Sequence, residues 1–375
     1  MSKFASGQTL IQAFEAWSPK SLAIGDDRNK IGLQLGTLNK PVKKVMVTLD
    51  VLENVVDEAI AQGVDLIIAH HPMMFHPVKR IDTDTARGRM IEKCLRQGIA
   101  VYAAHTNLDV AVGGVNDRLA EVLGVEDTEI FIPTQERKLV KFAVYVPESH
   151  AEAVRQALGD VGAGHIGRYS HCSFNSRGTG MFLPGEGTNP HIGTKGKWER
   201  VEEVKIETIL PEELTNQAIA AMKRVHPYEE VAYDLYALQN EGDFAGVGRI
   251  GELSEPMPLH QFATHVKTRL QVRGVRFVGQ ADAIVKKVAV LGGDGNKFMS
   301  TAKRKGADVY VTGDVYFHTA HEAWMDGLNV VDPGHYAEKV MKEEVSRRLN
   351  AFVAAQGYDT EVFVSKTNTD PFHFV

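Results

Sequence analysis

Cysteine is nearly absent from this chain. Cys94 and Cys172 are the only two, they sit in different segments, and neither belongs to a Cys-x-x-Cys or metal-binding spacing. That usage suits a reduced cytoplasm rather than a disulfide-stapled secreted domain. Long hydrophobic runs are missing too. Stretches such as Val64–Ala69 have strand length, far short of the ~18 apolar residues of a membrane span. Met1 to Ala16 has no continuous apolar core behind a basic start, so no secretory signal is expected. Nor is there an excess of positive charge. With 42 Lys and Arg against 48 Asp and Glu the net charge is −6, which argues against a nucleic-acid binder driven by counterion release. What is present is a globular average, 43% hydrophobic and 24% charged over 375 residues, enough for two to three domains at ~150 each. Fifteen histidines stand out against it.

The first third alternates strand and helix patterns. Val45–Leu49 reads as a strand and Val51–Gln62 as a helix with Leu52, Val55, Val56, Ala59 and Ile60 on one face. Gly63 stops that helix. Val64–Ala69 then reads as a buried strand, Arg87–Gln97 as a helix and Ile99–Ala104 as another buried strand. The last third repeats the grammar, with strands at Lys287–Leu291, Ala307–Thr312 and Asn329–Asp332, a helix at Phe298–Lys305, and a long helix from about His335 to Ala355. Residues 43–71 slide onto 286–314 without a gap and share seven identities, among them Lys43/Lys286, Gly63/Gly306 and Asp65/Asp308. The spacing predicts two copies of one β-α-β unit, 243 residues apart, in a largely parallel sheet.

Between the copies the pattern changes. Leu139–Val146, Tyr169–Asn175, Val201–Ile209 and Val231–Leu238 read as strands, and Glu148–Leu158 and Pro211–Arg224 as helices. Strand, helix, two strands, helix, strand is the order of a ferredoxin-like domain. The expected fold class is therefore α/β: a discontinuous duplicated α/β domain, residues 1–135 and 246–375, with an inserted ferredoxin-like α+β domain at 136–245.

Four polar clusters follow directly on predicted strands: His70-His71-Pro72, His105-Thr106-Asn107-Leu108-Asp109, Gly313-Asp314, and Gly334-His335-Tyr336-Ala337-Glu338. In open parallel sheets ligands bind outside the carboxyl ends of the strands, so these clusters are expected to converge on one edge of one sheet. Adjacent histidines point different ways, and two neighbouring metal ions would explain the pair. His335 and Glu338, three apart, could add an imidazole and a bridging carboxylate, and Asp109 another oxygen. Three imidazoles and two carboxylates with room for water suit a two-metal hydrolytic site, and magnesium sites rarely need so many imidazoles. His76 and His105 are candidates to support the ligands. His165, His171, His191 and His226 are read as structural. The turn Leu291-Gly292-Gly293-Asp294-Gly295-Asn296 could admit a phosphate, although it lacks both GxGxxG and a P-loop Lys-Ser/Thr.

Ile68-Ala69-His70-His71-Pro72, His105-Thr106-Asn107-Leu108-Asp109, Val311-Thr312-Gly313-Asp314 and Gly334-His335-Tyr336-Ala337-Glu338 resemble the motifs of the NGG-interacting-factor-three-like family, whose bacterial members are often labelled GTP cyclohydrolase I type 2 homologs. The segment Asn29-Lys30-Ile31-Gly32-Leu33 is similar to that family's Asn-x-Gly-Leu, although the residues before it, Asp26-Asp27-Arg28, depart from the usual pattern. His226-Pro227-Tyr228-Glu229 resembles a CutA signature, in keeping with the CutA/PII-like insert of long bacterial members. The resemblance implies two divalent transition-metal ions per chain, zinc first, with iron, manganese or cobalt as alternatives. It assigns their ligation to His70, His71, Asp109, His335 and Glu338, and implies a toroidal homohexamer. The activity expected is hydrolysis of a nucleotide or phosphorylated small molecule, with Glu338 bridging and His105 or Asp314 moving protons. A metal-dependent phosphoesterase and a non-enzymatic regulatory scaffold are the alternatives.

Overall fold

A computed structural model describes residues 3–136, 138–240, 242 and 244–375. The chain divides into two compact units, Met1–Gln135 with Ala245–Val375, and Glu136–Phe244. The architecture is mixed α/β with three sheets. No helix among the described residues is long and apolar enough to cross a membrane.

The first part of the chain carries β1 (Gly32–Leu35), β2 (Lys44–Thr48), β3 (Leu66–Ala69), β4 (Ala100–Ala103) and β5 (Val125–Glu136). The second unit carries β6 (Leu139–Pro147), β7 (Ser173–Phe182), β8 (Glu199–Pro211) and β9 (Tyr233–Ala237). The last part carries β10 (Phe244–Pro258), β11 (Arg276–Val278), β12 (Ile284–Asp294), β13 (Val309–Gly313), β14 (Asn329–Asp332) and β15 (Glu361–Val364).

In the larger unit β2, β3 and β4 run parallel, and every residue of β3 and β4 is buried, as a strand covered on both faces requires. The sheet has the order β1-β4-β3-β2-β15, and a second sheet has the order β11-β14-β13-β12-β10-β5. The expectation of a single sheet is therefore corrected. The two β-α-β segments build separate sheets, because β1 and β15 flank one while the long antiparallel β10 and β5 extend the other. One apolar core spans them. It takes Val45 and Tyr102 from the first sheet, Val288 and Val311 from the second, and Met341, Val345 and Leu349 from the helix Met341–Ala355.

The two segments share their local chemistry. The helix Glu53–Gln62 ends on Gly63 at φ 66°, and Gly306 at φ 74° follows the helix Met299–Arg304, a left-handed position that glycine fills without steric cost. The carboxylate of Asp65 accepts the backbone N–H groups of Lys43 (2.7 Å) and Lys44 (3.2 Å); Asp308 does the same for Lys286 (2.9 Å) and Lys287 (2.8 Å). Asp65 thereby ties its segment to the start of β2, and the Val64 N–H closes the preceding helix on the Ala59 carbonyl at 3.0 Å, so β3 begins at Leu66 and not at Val64. The C-terminal helix also starts later than its pattern suggests, since His335–Val340 is a 3-10 turn ahead of Met341.

In the smaller unit the antiparallel order is β7-β8-β6-β9. Alternation along β8 turns Val204, Ile206 and Leu210 inward, where they meet Val154 and Leu158 of the helix Ala151–Asp160 and Ala218 and Met222 of the helix Thr215–Val225. The second strand starts at Ser173, four residues after the predicted Tyr169. His171 sits at φ 59°, and a left-handed residue breaks the extended chain.

Candidate functional site

The strand ends deliver their polar clusters to one place. His70 leaves β3 fully buried. Its Nδ1–H donates to the Ala104 carbonyl at 2.9 Å, which fixes the tautomer and leaves the Nε2 lone pair facing Asp109 Oδ1 at 3.6 Å and Glu338 Oε2 at 3.7 Å. Among the described residues neither His70 Nε2 nor Asp109 Oδ1 has a hydrogen-bond partner, although both are buried. His71 turns the other way. Its Nδ1–H donates to Asp50 Oδ1 at 2.6 Å, and Nε2 meets Glu338 Oε2 at 3.1 Å. His335 mirrors it from the second sheet, with Nδ1 on Asp314 Oδ2 at 2.6 Å and Nε2 on Glu338 Oε2 at 3.2 Å. In a 3-10 turn residues three apart eclipse, so His335 and Glu338 share a face more closely than an α-helix would give.

His105 completes the cluster, its ring centroid 5.2 Å from that of His70 and 5.6 Å from that of His71. Its Nδ1–H donates to the Asp27 carboxylate at 2.9 Å. Asp27 also accepts the Thr106 N–H at 3.1 Å and the Thr106 hydroxyl at 2.6 Å. Among the described residues three groups could hold a metal ion, each with its ligand atoms within 4.8 Å of one another: His70, His71 and His105; His71, His335 and Glu338; and His70, Asp109 and Glu338.

The electrostatics follow from burial against pairing. Burial drives the His70 pKa down to about 3, keeping it a neutral lone-pair donor. Burial also opposes charge on His71 and His335, but hydrogen bonds to Asp50 and Glu338 in one case, and to Glu338 and Asp314 in the other, push them up to about 10 and about 9. Burial raises the Asp109 carboxyl, aided by the Glu338 charge. Glu338 goes the other way: its burial is outweighed by the bonds from His335 and His71, which hold it well below the usual carboxylate range. Unpartnered lone pairs aimed at one point, second nitrogens fixed by carboxylates or a carbonyl, and mixed N/O donors are what a transition-metal ion requires.

Every ligand candidate from the sequence, His70, His71, Asp109, His335 and Glu338, is in the cluster, with His105 and Asp314 against it. Two participants were not anticipated. Asp50 follows β2 at the same sheet edge, a signal the strand-end rule contains. Asp27 lies in the turn Gly25–Asn29, and nothing in the local pattern marks it. His76 packs on Phe75, with ring centroids 5.2 Å apart, and not on the ligand cluster. Three N–H groups of the glycine-rich turn are taken up within the protein and not free for a phosphate: Gly292 by Asn116 Oδ1, Gly295 by Thr312 Oγ1 and Asn296 by Asp294 Oδ1. It gives Glu338 room instead. A Cβ on Gly292 or Gly293 would stand 2.9 Å from Glu338 Oε1.

Comparison with known proteins places these residues in context. The family model described as Duf34/NIF3 (NGG1p interacting factor 3) matches residues 5–371. A Bacillus subtilis protein named GTP cyclohydrolase 1 type 2 homolog is 59% identical over all of both chains, and a Halalkalibacterium halodurans protein of the same name is 56% identical over all of both. Among solved structures, a Bacillus cereus protein related to NIF3 is similar over all of both chains, with a TM-score of 0.92 and 57% identity.

Proposed function

The chain belongs to the Duf34/NIF3 (NGG1p interacting factor 3) family, and from that membership and the geometry of its cluster we propose a two-metal hydrolase acting on a nucleotide or a similar phosphorylated small molecule. One observation carries the reading. Glu338 Oε2 lies within 3.1 to 3.7 Å of three imidazole nitrogens, while His70 Nε2 and Asp109 Oδ1 are buried without hydrogen-bond partners among the described residues. On this reading His70, Asp109 and Glu338 hold one ion, His71, His335 and Glu338 the other, and zinc is the first metal to test. When bound, such a pair supplies Lewis acidity and an activated water at neutral pH. The chain's own residues do the rest. Glu338 spans the two ligand sets. Asp50 and Asp314 fix the rings of His71 and His335 through Nδ1. Asp27 fixes His105 the same way, so that its remaining nitrogen, Nε2, can take and return a proton. Asp314 is already engaged with His335, and His105 is the better placed of the two for that role.

The paired Asp65 and Asp308 contacts support the duplication, and the order β7-β8-β6-β9 supports a ferredoxin-like insert of the CutA/PII kind. Exposed Phe317, Trp324 and Met325 on the helix Phe317–Met325 support self-association. One feature favours a second reading, a regulatory assembly. The insert holds a cavity of about 700 Å³ lined by Tyr145, Phe182, His191, Glu203, Lys205 and Tyr228, ample for a small molecule.

The printed name of the relatives makes GTP the first substrate to test. Metal-loaded protein is followed with GTP by ultraviolet absorbance and by phosphate assay. Ring opening changes the purine spectrum, whereas phosphoester hydrolysis releases phosphate with the chromophore intact. Either signal is expected to vanish in Glu338→Gln. Silence in both, across nucleotides and simple phosphoesters, would reject the hydrolase in favour of the regulatory assembly.

A further inference from the structure

The ligand cluster leaves unexplained a second cavity in the same unit, about 640 Å³, between the segment that carries Asn29 to Leu35 and the loop 74–81. Its size falls within the ~300–1,000 Å³ of small-molecule sites. The two walls are joined by Gln34, whose Nε2 donates to the Lys30 carbonyl at 2.9 Å and whose Oε1 accepts the Met74 N–H at 3.3 Å. Most of the lining is apolar, and Leu33, Phe75 and Ile81 remain exposed, which is unfavourable for large apolar side chains without an occupant. Phe75 belongs to both sites. Its ring centroid lies 6.2 Å from that of His105, and its face carries the Lys30 ammonium at 3.9 Å. Lys30 has no carboxylate within ion-pair distance among the described residues. The one carboxylate in the lining, Asp26, sits at the exposed rim.

We propose that this cavity is the substrate pocket, and that it takes a planar aromatic compound bearing an anionic group, the flat body on the apolar walls beside Phe75 and the anion held by Lys30. The inference rests on the hydrolase reading of the cluster and adds to it the class of substrate. An anion answers the unpaired ammonium, and a flat body matches walls of Leu, Ile, Val and Phe. The shared Phe75 sets the bound molecule beside His105.

The test uses 1-naphthalenesulfonate, a planar anion that cannot be hydrolysed. Fluorescence titration of metal-free protein is expected to show one site per chain. Lys30→Glu and the milder Lys30→Met should weaken it by about tenfold or more, and Ile81→Trp, which fills the cavity, should do the same. All three variants should keep wild-type metal content and thermal transition. With Mn²⁺ bound to the wild-type chain, the probe's proton relaxation is expected to rise sharply. Absence of binding, equal binding in wild type and variants, or relaxation unchanged by bound Mn²⁺ would each overturn the proposal. Failure of the chain to take up metal would reject the hydrolase reading instead, and the metal-free titration would still decide the pocket.

Discussion

Replacing Asp27 by Asn tests the least expected part of the site. The carboxylate is almost fully buried and accepts three donors, the His105 ring N–H, the Thr106 N–H and the Thr106 hydroxyl. An isosteric amide keeps one oxygen and turns an NH2 group toward a donor, so at least one of these bonds is lost. Burial alone would raise the Asp27 pKa, but the bonds from His105 and Thr106 outweigh it and bring it down from 3.8 to about 2. At 1.36 kcal/mol per unit this stabilises the folded charged form by roughly 2 kcal/mol at neutral pH. A depressed carboxylate contributes fully above its unfolded pKa and loses that contribution as pH falls toward the folded value. The gap between wild type and Asp27→Asn in urea denaturation should therefore be about 2 kcal/mol at pH 7 and roughly half of that at pH 3. Turnover should fall through kcat with little change in KM, and metal content should stay near wild type. Equal stabilities at pH 7, or a gap that does not shrink on acidification, would refute the reasoning.

Elemental analysis of His70→Ala and His71→Ala should show each variant losing at least one metal equivalent per chain, and full occupancy in both would remove the assignment of these residues. Gly292→Val should lower metal content in a folded protein, since its side chain must displace the Glu338 carboxylate from 2.9 Å; circular dichroism beside metal analysis checks this. In the insert, burial lowers the His226 pKa against a hydrogen bond to the Tyr145 carbonyl, with His150 and His191 adding to the drop. The unfolded chain then takes up the proton first, so the insert should lose stability as pH falls through ~6.5, and His226→Gln should flatten that dependence in a pH series of thermal melts.

The ligand cluster was legible because strand ends are. His70-His71, His105, Asp314 and His335 each follow a short buried run, and the rule that parallel strands present their carboxyl ends to ligands gathers them within each sheet, whereas the meeting of two separate sheets was not in the pattern. Strands with mixed or partial burial were less visible. β5 and β10 expose part of their length and show no clean period, so nothing local signalled that they extend the second sheet. Asp27 was hidden for another reason. It comes from a 3-10 turn 78 residues before His105, and only the packing of that turn makes the contact. Boundaries shifted where the backbone departed from the pattern, as Val64 does by closing the preceding helix and His171 does by adopting a left-handed conformation.

Neither sheet can build the cluster alone. The first supplies His70, His71 and His105, and the second supplies Glu338, the carboxylate that reaches His70 and His71 as well as its own neighbour His335. Register matters in both. A slip of one residue between β2 and β3 would send His70 to the face His71 now occupies, because side chains alternate with a period of two. Asp65 and Asp308 act on that register from the opposite ends of their strands, each by clamping two N–H groups near the start of the neighbouring strand. These two aspartates thus lie at the other end of the strands from the candidate metal ligands and still bear on where those candidates stand. Asp65 and Asp308 stand at matching positions of the two segments, while the residues that follow the two strands differ, His70-His71 in one and Gly313-Asp314 in the other.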